Sequence, residues 1–361
     1  MIPIAKPLIG QEEIDGVVDV MRSGMVAEGP KTKEFEDAFK EYVGAKHAIA
    51  LNSGTAALHV ALLARGIDKG DEVITTPFTF IASANCILYV GAKPVFADIE
   101  PDTFNIDPED IKAKITRKTK AIIPVDLYGH PAEMGVIMDL AEDYNLAVIE
   151  DACQAHGAVY HGKTTGSFDT GCFSFYPTKN MMSGEGGMIT CNDDRVAARS
   201  RMIKSHGSKV RYHHEMLGFN LRMTDMSAAI GLSQLKKVDA FNQKRIENAQ
   251  LMTELLSGIK GIITPIIRPG CKHVFHQYTI RVTDEFSTDR DGLVKILNNE
   301  EIGSSVFYPI PIHQQPFYKE LGFAETHPKA EQAAKEVMSL PVHPSITTDD
   351  VKLIAKVIGG I

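Results

Sequence analysis

The sequence predicts an α/β protein in which a large N-terminal domain with a mostly parallel mixed sheet precedes a smaller C-terminal α+β domain. Short apolar runs of strand type alternate with amphipathic helical patterns through the first half of the chain, which favours parallel strands covered on both faces. A stretch rich in glycine and proline, residues 258–273, then separates this pattern from a second group of strands and helices. We therefore place the large domain at residues 1–257 and the small domain at residues 258–361.

The large domain opens with helical periodicity over residues 31–43, where Phe35 and Phe39 recur at helical spacing. An apolar strand at 47–51 follows, and then a helix from Ala56 to Arg65 that Gly66 ends. Beyond it, an amphipathic helix is predicted at residues 133–144, and strands are predicted at residues 72–75, 94–97, 121–125, 147–150, 172–175 and 187–190. This alternation is the basis for predicting a mostly parallel sheet.

The second half of the chain has a different order of elements. One long helix is predicted over residues 224–257, with Leu232, Leu235 and Val238 on one side. The small domain is predicted to contain a strand at 276–282, a helix at 290–299, a strand at 304–308 and two terminal helices.

Composition argues against several classes of partner. The chain has 361 residues, with 38 Lys and Arg against 46 Asp and Glu, and a net charge of −8. A mildly acidic protein has no general attraction to nucleic acid or to an anionic membrane, so neither is expected as a partner. No signal-peptide core or bilayer-length apolar segment is present, and we expect a cytoplasmic protein.

The five cysteines, at positions 86, 153, 172, 191 and 271, form no Cys-x-x-Cys pair. Their odd number excludes a complete disulfide framework, and their spacing matches no zinc site. We expect reduced thiols and no bound metal.

Lys179 is the most informative residue for function. It lies in the polar, proline-containing run 174–180, 28 positions after Asp151, which ends a predicted strand. Pyridoxal phosphate (PLP) needs this pair, because a lysine amine forms a Schiff base with its aldehyde and a carboxylate pairs with its pyridinium nitrogen. Each residue alone has an ordinary alternative interpretation. Lys179 is also compatible with a solvent-exposed loop lysine, and Asp151 is also compatible with a helix N-cap. Together with the glycines and serines described next, they favour a PLP site.

Three further motifs are compatible with that cofactor. The turn 52–55 places Gly54 between a strand and a helix, where free backbone N–H groups can bind a phosphate. Ser174, five residues before the lysine, offers a hydroxyl to the same phosphate, and Phe80 is a candidate to stack on a planar ring. Each motif alone has an ordinary alternative interpretation: the turn 52–55 as a capped turn, Ser174 as a strand serine and Phe80 as a core aromatic. The glycine-rich run 183–187 lacks the spacing of a dinucleotide fingerprint.

Together these motifs resemble the DegT/DnrJ/EryC1/StrS family of PLP-dependent nucleotide-sugar aminotransferases, which have the type I PLP-transferase fold of aspartate aminotransferase. The resemblance extends over nearly the whole chain. It is carried by residues 23–24, 28–30, 52–58, 77–80, 150–157, 174–179, 184–187, 218–223 and 308–313.

The resemblance implies a role for each residue of the cofactor site. Lys179 would bind PLP covalently and Asp151 would pair with the ring nitrogen. The remaining cofactor contacts would be Gln154 beside the ring and its phenolic oxygen, Phe80 stacked on the ring, and Gly54, Thr55 and Ser174 at the phosphate.

The resemblance also implies contacts with a second subunit and with substrate. Asn220 matches an asparagine that reaches the phosphate from the neighbouring subunit, which would give a homodimer with shared active sites. Arg222, Tyr308 and His313 fall where the family contacts the sugar nucleotide.

The implied reaction transfers an amino group, from L-glutamate, to a keto group of a nucleoside-diphosphate-linked sugar. The product would be an amino-sugar nucleotide for polysaccharide, glycan or secondary-metabolite synthesis. A branch of the family has histidine in place of the lysine and catalyses dehydration, so Lys179 favours transamination. Two alternatives stay open: another PLP reaction on a sugar nucleotide, such as dehydration, and a non-catalytic regulatory relative, which retention of Lys179 and Asp151 disfavours.

Overall fold

The computed structural model describes residues 1–361 and has thirteen α-helices and fifteen strands. The helices are α1 (Gln11–Ser23), α2 (Pro30–Val43), α3 (Gly54–Ala64), α4 (Ala82–Tyr89), α5 (Pro108–Lys114), α6 (Met134–Tyr144), α7 (Asp194–Ile203), α8 (Asp225–Leu235), α9 (Val238–Leu256), α10 (Arg290–Asn299), α11 (Pro316–Glu320), α12 (Pro328–Glu336) and α13 (Thr348–Gly359). The strands are β1 (His47–Leu51), β2 (Glu72–Thr75), β3 (Lys93–Phe96), β4 (Thr119–Ile123), β5 (Ala147–Asp151), β6 (Val159–Tyr160), β7 (Lys163–Thr164), β8 (Thr170–Ser174), β9 (Gly187–Cys191), β10 (Ser208–Val210), β11 (His213–His214), β12 (Ile262–Ile263), β13 (Cys271–Lys272), β14 (Tyr278–Val282) and β15 (Val337–Leu340).

The central sheet has seven strands in the order β1-β9-β8-β5-β4-β2-β3. The pairs β2–β3, β2–β4, β4–β5 and β5–β8 are parallel, whereas both pairs made by β9 are antiparallel. Only β9 therefore opposes the common strand direction, and the predicted mostly parallel, mixed sheet is confirmed. Since parallel strands bury both faces, their sequences are nearly continuous apolar runs.

Apolar layers cover both faces of this sheet. On one face, α3 and α7 pack over the strands in a core of 23 buried residues. On the other, an aromatic cluster joins α2 to β8: the rings of Phe39 and Phe173 lie 4.9 Å apart, and those of Phe35 and Phe175 lie 5.1 Å apart. Such pairs stabilise a core by about 0.5–1.5 kcal/mol beyond their buried area. The cluster thereby fixes the end of β8, where the run 174–180 begins.

A second core forms around the antiparallel sheet β12-β14-β15. It contains 21 buried residues, most of them from 262 onward, together with Ile2 and the C-terminal half of α9. We retain the domain division after residue 257 as a proposal, with the end of α9 and the first residues of the chain packing onto the small domain.

Four predicted elements differ from the structure. In place of two terminal helices, the small domain ends with α11, α12, β15 and α13. The long helix over 224–257 is two helices, since α8 ends at Leu235 and α9 begins at Val238; Lys237, between them, forms ion pairs with Glu12 and Glu13 on α1, each 2.8 Å long. Residues 304–308 form only one bridge, at Ser305, and their apolar side chains join a core cluster instead of a ladder. The stretch 258–273, predicted as a loop, carries the short strands β12 and β13.

None of the helices is both long and apolar enough for a transmembrane span.

Candidate active site

The candidate site lies at one edge of the central sheet. Strands β1, β5 and β8 run in the same direction, and they end at the turn 52–55, at Asp151 and at Ser174. In open α/β sheets, ligands bind outside the carboxyl ends of the strands. The topology thus brings together three motifs that are more than 20 residues apart in the sequence.

Asp151 is held in a fixed orientation at the end of β5. Its side chain is 5% exposed, the hydroxyl of Ser83 donates to Oδ2 at 2.7 Å, and the backbone N–H of Cys153 donates to Oδ1 at 3.3 Å. These two hydrogen bonds leave the carboxylate little freedom to rotate. A fixed negative charge at this position can pair with a protonated ring nitrogen.

Lys179 follows β8 on an anchored turn. Its backbone N–H donates to the carbonyl of Tyr176 at 2.9 Å, and the next residue, Asn180, donates its side-chain amide to Asn242 Oδ1 at 2.7 Å and to the carbonyl of Val274 at 2.9 Å. Burial lowers the pKa of the Lys179 amine, with Cys153 and the Asp151 carboxylate opposing this shift. A lysine with a lowered pKa is a better nucleophile and base near neutral pH, because more of it is unprotonated.

Gly54 begins α3 and lies directly against β8. A Cβ at this position would be 2.7 Å from Cβ of Ser174 and 3.1 Å from Sγ of Cys153, so a larger side chain does not fit without displacement. The Ser53 side chain accepts a hydrogen bond from the N–H of Ala56 at 3.1 Å, which caps this helix. Gly54, the half-buried Thr55 and Ser174 thus bring backbone N–H groups and two hydroxyls together, and these are the donor types that bind a phosphate; we call this group the phosphate cradle.

Replacing Gly54 with alanine should weaken PLP binding about tenfold, because the new methyl group displaces Ser174 and widens the cradle. Titration of the apoprotein with PLP, followed by absorbance, measures this affinity. Gly16→Ala on α1 is the matched control, since a Cβ there meets its nearest neighbour at an ordinary 3.5 Å. Equal PLP affinity of the Gly54 variant and the control would contradict the phosphate role of this turn.

Gln154 and Tyr308 form the side of the site near Asp151. Gln154 is 5% exposed; its Oε1 accepts from the N–H of Tyr128 at 2.9 Å and its Nε2 donates to the hydroxyl of Tyr308 at 3.4 Å. Burial, reinforced by the negative charge of Asp151, raises the pKa of Tyr308, so its phenol stays neutral. The ring of Phe80 lies 6.4 Å from that of Tyr308 and is 57% exposed, which leaves it free to stack on a ligand.

Arg222 lies beside the end of β1. It forms a β-bridge with Leu51, and the preceding carbonyl, of Leu221, accepts from the N–H of Asn52 at 3.0 Å. Its backbone is therefore next to the turn 52–55, and its half-buried side chain contacts Ser205 and Glu28. Asn220, two residues earlier, is exposed.

The residue pattern and the geometry agree with a comparison against known families. The model of the DegT/DnrJ/EryC1/StrS aminotransferase family matches residues 7–359. The chain belongs to this family.

Similar proteins support the same assignment. The chain is 46% identical over 95% of its length to the pleiotropic regulatory protein of Geobacillus stearothermophilus, covering 93% of it. It is 42% identical over 97% of its length to the GDP-perosamine synthase of Caulobacter vibrioides, covering 95% of it. It is 41% identical over 96% of its length to the UDP-N-acetyl-3-dehydro-alpha-D-glucosamine 3-aminotransferase of Acidithiobacillus ferrooxidans, covering 93% of it.

Solved structures give the same result. DesV of S. venezuelae, in complex with a ketimine intermediate, superposes with a TM-score of 0.93 at 36% identity, over 97% of this chain and 94% of that one. A proposed sugar aminotransferase of Streptococcus pneumoniae in its PLP form has a TM-score of 0.93 at 30% identity, over 99% and 98% of the two chains. The resemblance inferred from the motifs, the type I fold and PLP as cofactor are confirmed, and the chain is a sugar aminotransferase.

In this aminotransferase the structure brings most of the predicted site residues together, and His313 lies apart. His313 is 3% exposed; its Nε2 lies 3.2 Å from Glu331, and its ring lies 4.7 Å from that of His327 and 6.4 Å from that of Phe96. None of these contacts belongs to the group around Lys179. Its substrate role stays a prediction.

Two residues of the aminotransferase site were missed by sequence reasoning. Ser83 orients Asp151, and the backbone N–H of Tyr128 orients Gln154. Ser83 lies three positions after Phe80, near the start of α4. Residues three positions apart on a helix share one face, so the sequence could have indicated that Ser83 lies near Phe80 and the site. The role of Tyr128 depends on a long-range contact that no local pattern indicates.

Proposed function

We propose that this aminotransferase moves an amino group from L-glutamate to a keto carbon of a nucleoside-diphosphate-linked sugar. The observation that carries the proposal is the convergence of Lys179, Asp151 and the phosphate cradle at Gly54 on one sheet edge. Relatives named for GDP- and UDP-linked sugars support a sugar nucleotide as substrate.

Bound PLP supplies an aldehyde and a cationic ring that accepts the electron pair of a broken Cα–H bond. Lys179 would hold the cofactor covalently until the donor arrives. Its freed amine, with a lowered pKa, would then take the proton from the donor α-carbon and deliver it to the cofactor. In the second half-reaction, Lys179 would move a proton in the opposite direction.

The other residues would fix charge and geometry. The charge of Asp151 would keep the ring nitrogen protonated, and Gln154 and the neutral phenol of Tyr308 would contact the ring side. Phe80 would cover the ring face, while Gly54, Thr55 and Ser174 would bind the phosphate. These roles need no acid or base besides Lys179 at the reacting carbon.

We further propose a homodimer with shared active sites, in which Asn220 reaches the cofactor phosphate of the partner subunit. The exposed side chain of Asn220 supports this proposal, since it lies on the surface and not in the cradle of its own chain. Arg222 and, by resemblance, Tyr308 and His313 would contact the sugar nucleotide.

The first half-reaction can be tested without knowing the sugar. L-Glutamate added to the PLP-loaded protein should replace the visible absorbance band with that of the pyridoxamine form, because Lys179 and Asp151 supply the base and the charge that proton transfer requires. D-Glutamate is the matched control and should leave the band unchanged. A stable band with L-glutamate would exclude this donor, and absence of any visible band would exclude Lys179 as the covalent residue.

A further inference from the structure

A buried lysine lies beside β1 and contacts Glu28. Lys204 is 3% exposed; its Nζ donates to Oε1 of Glu28 at 2.6 Å and to the carbonyl of Ala50 at 2.9 Å, and lies 3.4 Å from Oε1 of Glu36. Burying a lysine is costly unless carboxylates compensate its charge. Glu28 is therefore held firmly through one of its two oxygens.

The second oxygen of Glu28 faces Arg222. Oε2 lies 3.9 Å from Arg222 Nε, and Nη1 of Arg222 donates to the hydroxyl of Ser205 at 3.3 Å. The side chains of Lys204, Glu28 and Arg222 are 3%, 26% and 32% exposed, so the chain of contacts leads from the interior to the surface.

The backbone on either side of Glu28 is also fixed. Asp225, 2% exposed, accepts from the N–H groups of Gly29 at 2.8 Å, Thr32 at 2.9 Å and Lys31 at 3.1 Å, and so caps the start of α2. Its own N–H donates to the carbonyl of Ala27 at 2.8 Å. Glu28 therefore has little freedom to move relative to Arg222.

Arg222 is the cation of this group that lies beside the end of β1. Arg201 donates to Oε2 of Glu36 at 2.7 Å and Lys204 lies between Glu28 and Glu36. The backbone of Arg222 bridges to Leu51, next to the turn 52–55, and its side chain is 32% exposed. A partly exposed guanidinium at this position suits an anionic ligand.

We infer that Glu28 is a positioning residue that orients Arg222 toward the diphosphate of the nucleotide-linked sugar. This inference rests on the proposed function of Arg222. The Lys204–Glu28 contact fixes the carboxylate, the carboxylate restricts the guanidinium, and the restricted guanidinium binds phosphate oxygens at a lower entropic cost.

Glu28→Gln tests the inference, since glutamine keeps the size of the side chain and removes its charge. UDP and GDP serve as probes, titrated calorimetrically into the PLP-loaded protein. The tighter-binding probe should lose about tenfold in affinity, the size expected for one misaligned charge-assisted contact. Glu34→Gln on α2, six residues later in the chain, is the matched control, because it makes the same charge change at a side chain that is 57% exposed. An unchanged or increased affinity of Glu28→Gln would overturn the inference, as would failure of both probes to bind the unaltered protein.

Arg222→Gln completes a double-mutant cycle. If Glu28 acts through Arg222, adding Glu28→Gln to Arg222→Gln weakens probe binding no further, whereas an additive loss overturns the inference. Should Glu28→Gln fail to fold, Glu28→Asp keeps the charge beside Lys204 and withdraws the carboxylate from Arg222 by one methylene. A threefold to fivefold loss is then expected, as a rough fraction of the full effect, and no loss overturns the inference. The glutamate half-reaction is read separately, so its failure would count against the proposed function and not against Glu28.

Discussion

Replacing Lys179 with alanine should lower kcat for amino transfer by at least about 10,000-fold. The change removes both the amine that holds the cofactor and the base that moves the proton. The residues around Gly54 and Ser174 are untouched, so the variant should still bind PLP, without the absorbance band of the covalent form. Single-turnover absorbance with L-glutamate measures the chemical step directly.

Two further variants make this result specific. Lys179→Arg retains a positive charge but is neither a nucleophile nor a base near neutral pH, so it should be as inactive as the alanine variant. Lys118→Ala removes an exposed lysine elsewhere and should leave kcat unchanged. Full activity of Lys179→Ala would refute the assignment of the catalytic base.

Most of the central sheet could be predicted because its strands are buried on both faces. Such strands appear as apolar runs that end abruptly at polar or glycine-containing turns, as at residues 47–51 and 72–75, whose bounds agree with the structure. The predicted helix at 31–43 begins one residue later than α2. The cofactor residues at strand ends were found for the same reason, since functional side chains follow the carboxyl ends of parallel strands.

The rest depends on contacts between distant parts of the chain. At the break between α8 and α9, Lys237 forms ion pairs with α1, more than 200 residues away in sequence. The run 304–308 has strand composition, yet its apolar side chains pack beside Phe78 and Tyr128 in place of pairing. Local pattern cannot separate an apolar strand from an apolar loop that packs on a core. The Lys204–Glu28 contact could not be predicted either, because the two residues are far apart in the sequence.

Replacing Asp151 with asparagine should lower the rate of the glutamate half-reaction about 1,000-fold, because the ring nitrogen loses the charge that keeps it protonated. Asparagine has nearly the same shape, and its oxygen can still accept from Ser83, so PLP affinity should change much less than the rate. Stopped-flow absorbance with L-glutamate gives the rate, and PLP titration gives the affinity.

Glu150→Gln is the matched control, since it makes the same carboxyl-to-amide change at the neighbouring position of β5, on the opposite face of the strand. Burial, together with the adjacent Asp126 carboxyl, raises the pKa of Glu150 well above its usual range. Its side chain also lies on the face of β5 opposite to Asp151, so its amide variant should retain the rate. Equal rates for Asp151→Asn and Glu150→Gln would show that the charge of Asp151 does not act on the ring. A large loss in Asp151→Asn alone would place the electrostatic contribution at this one carboxylate, since both variants make the same chemical change at buried positions of the same strand.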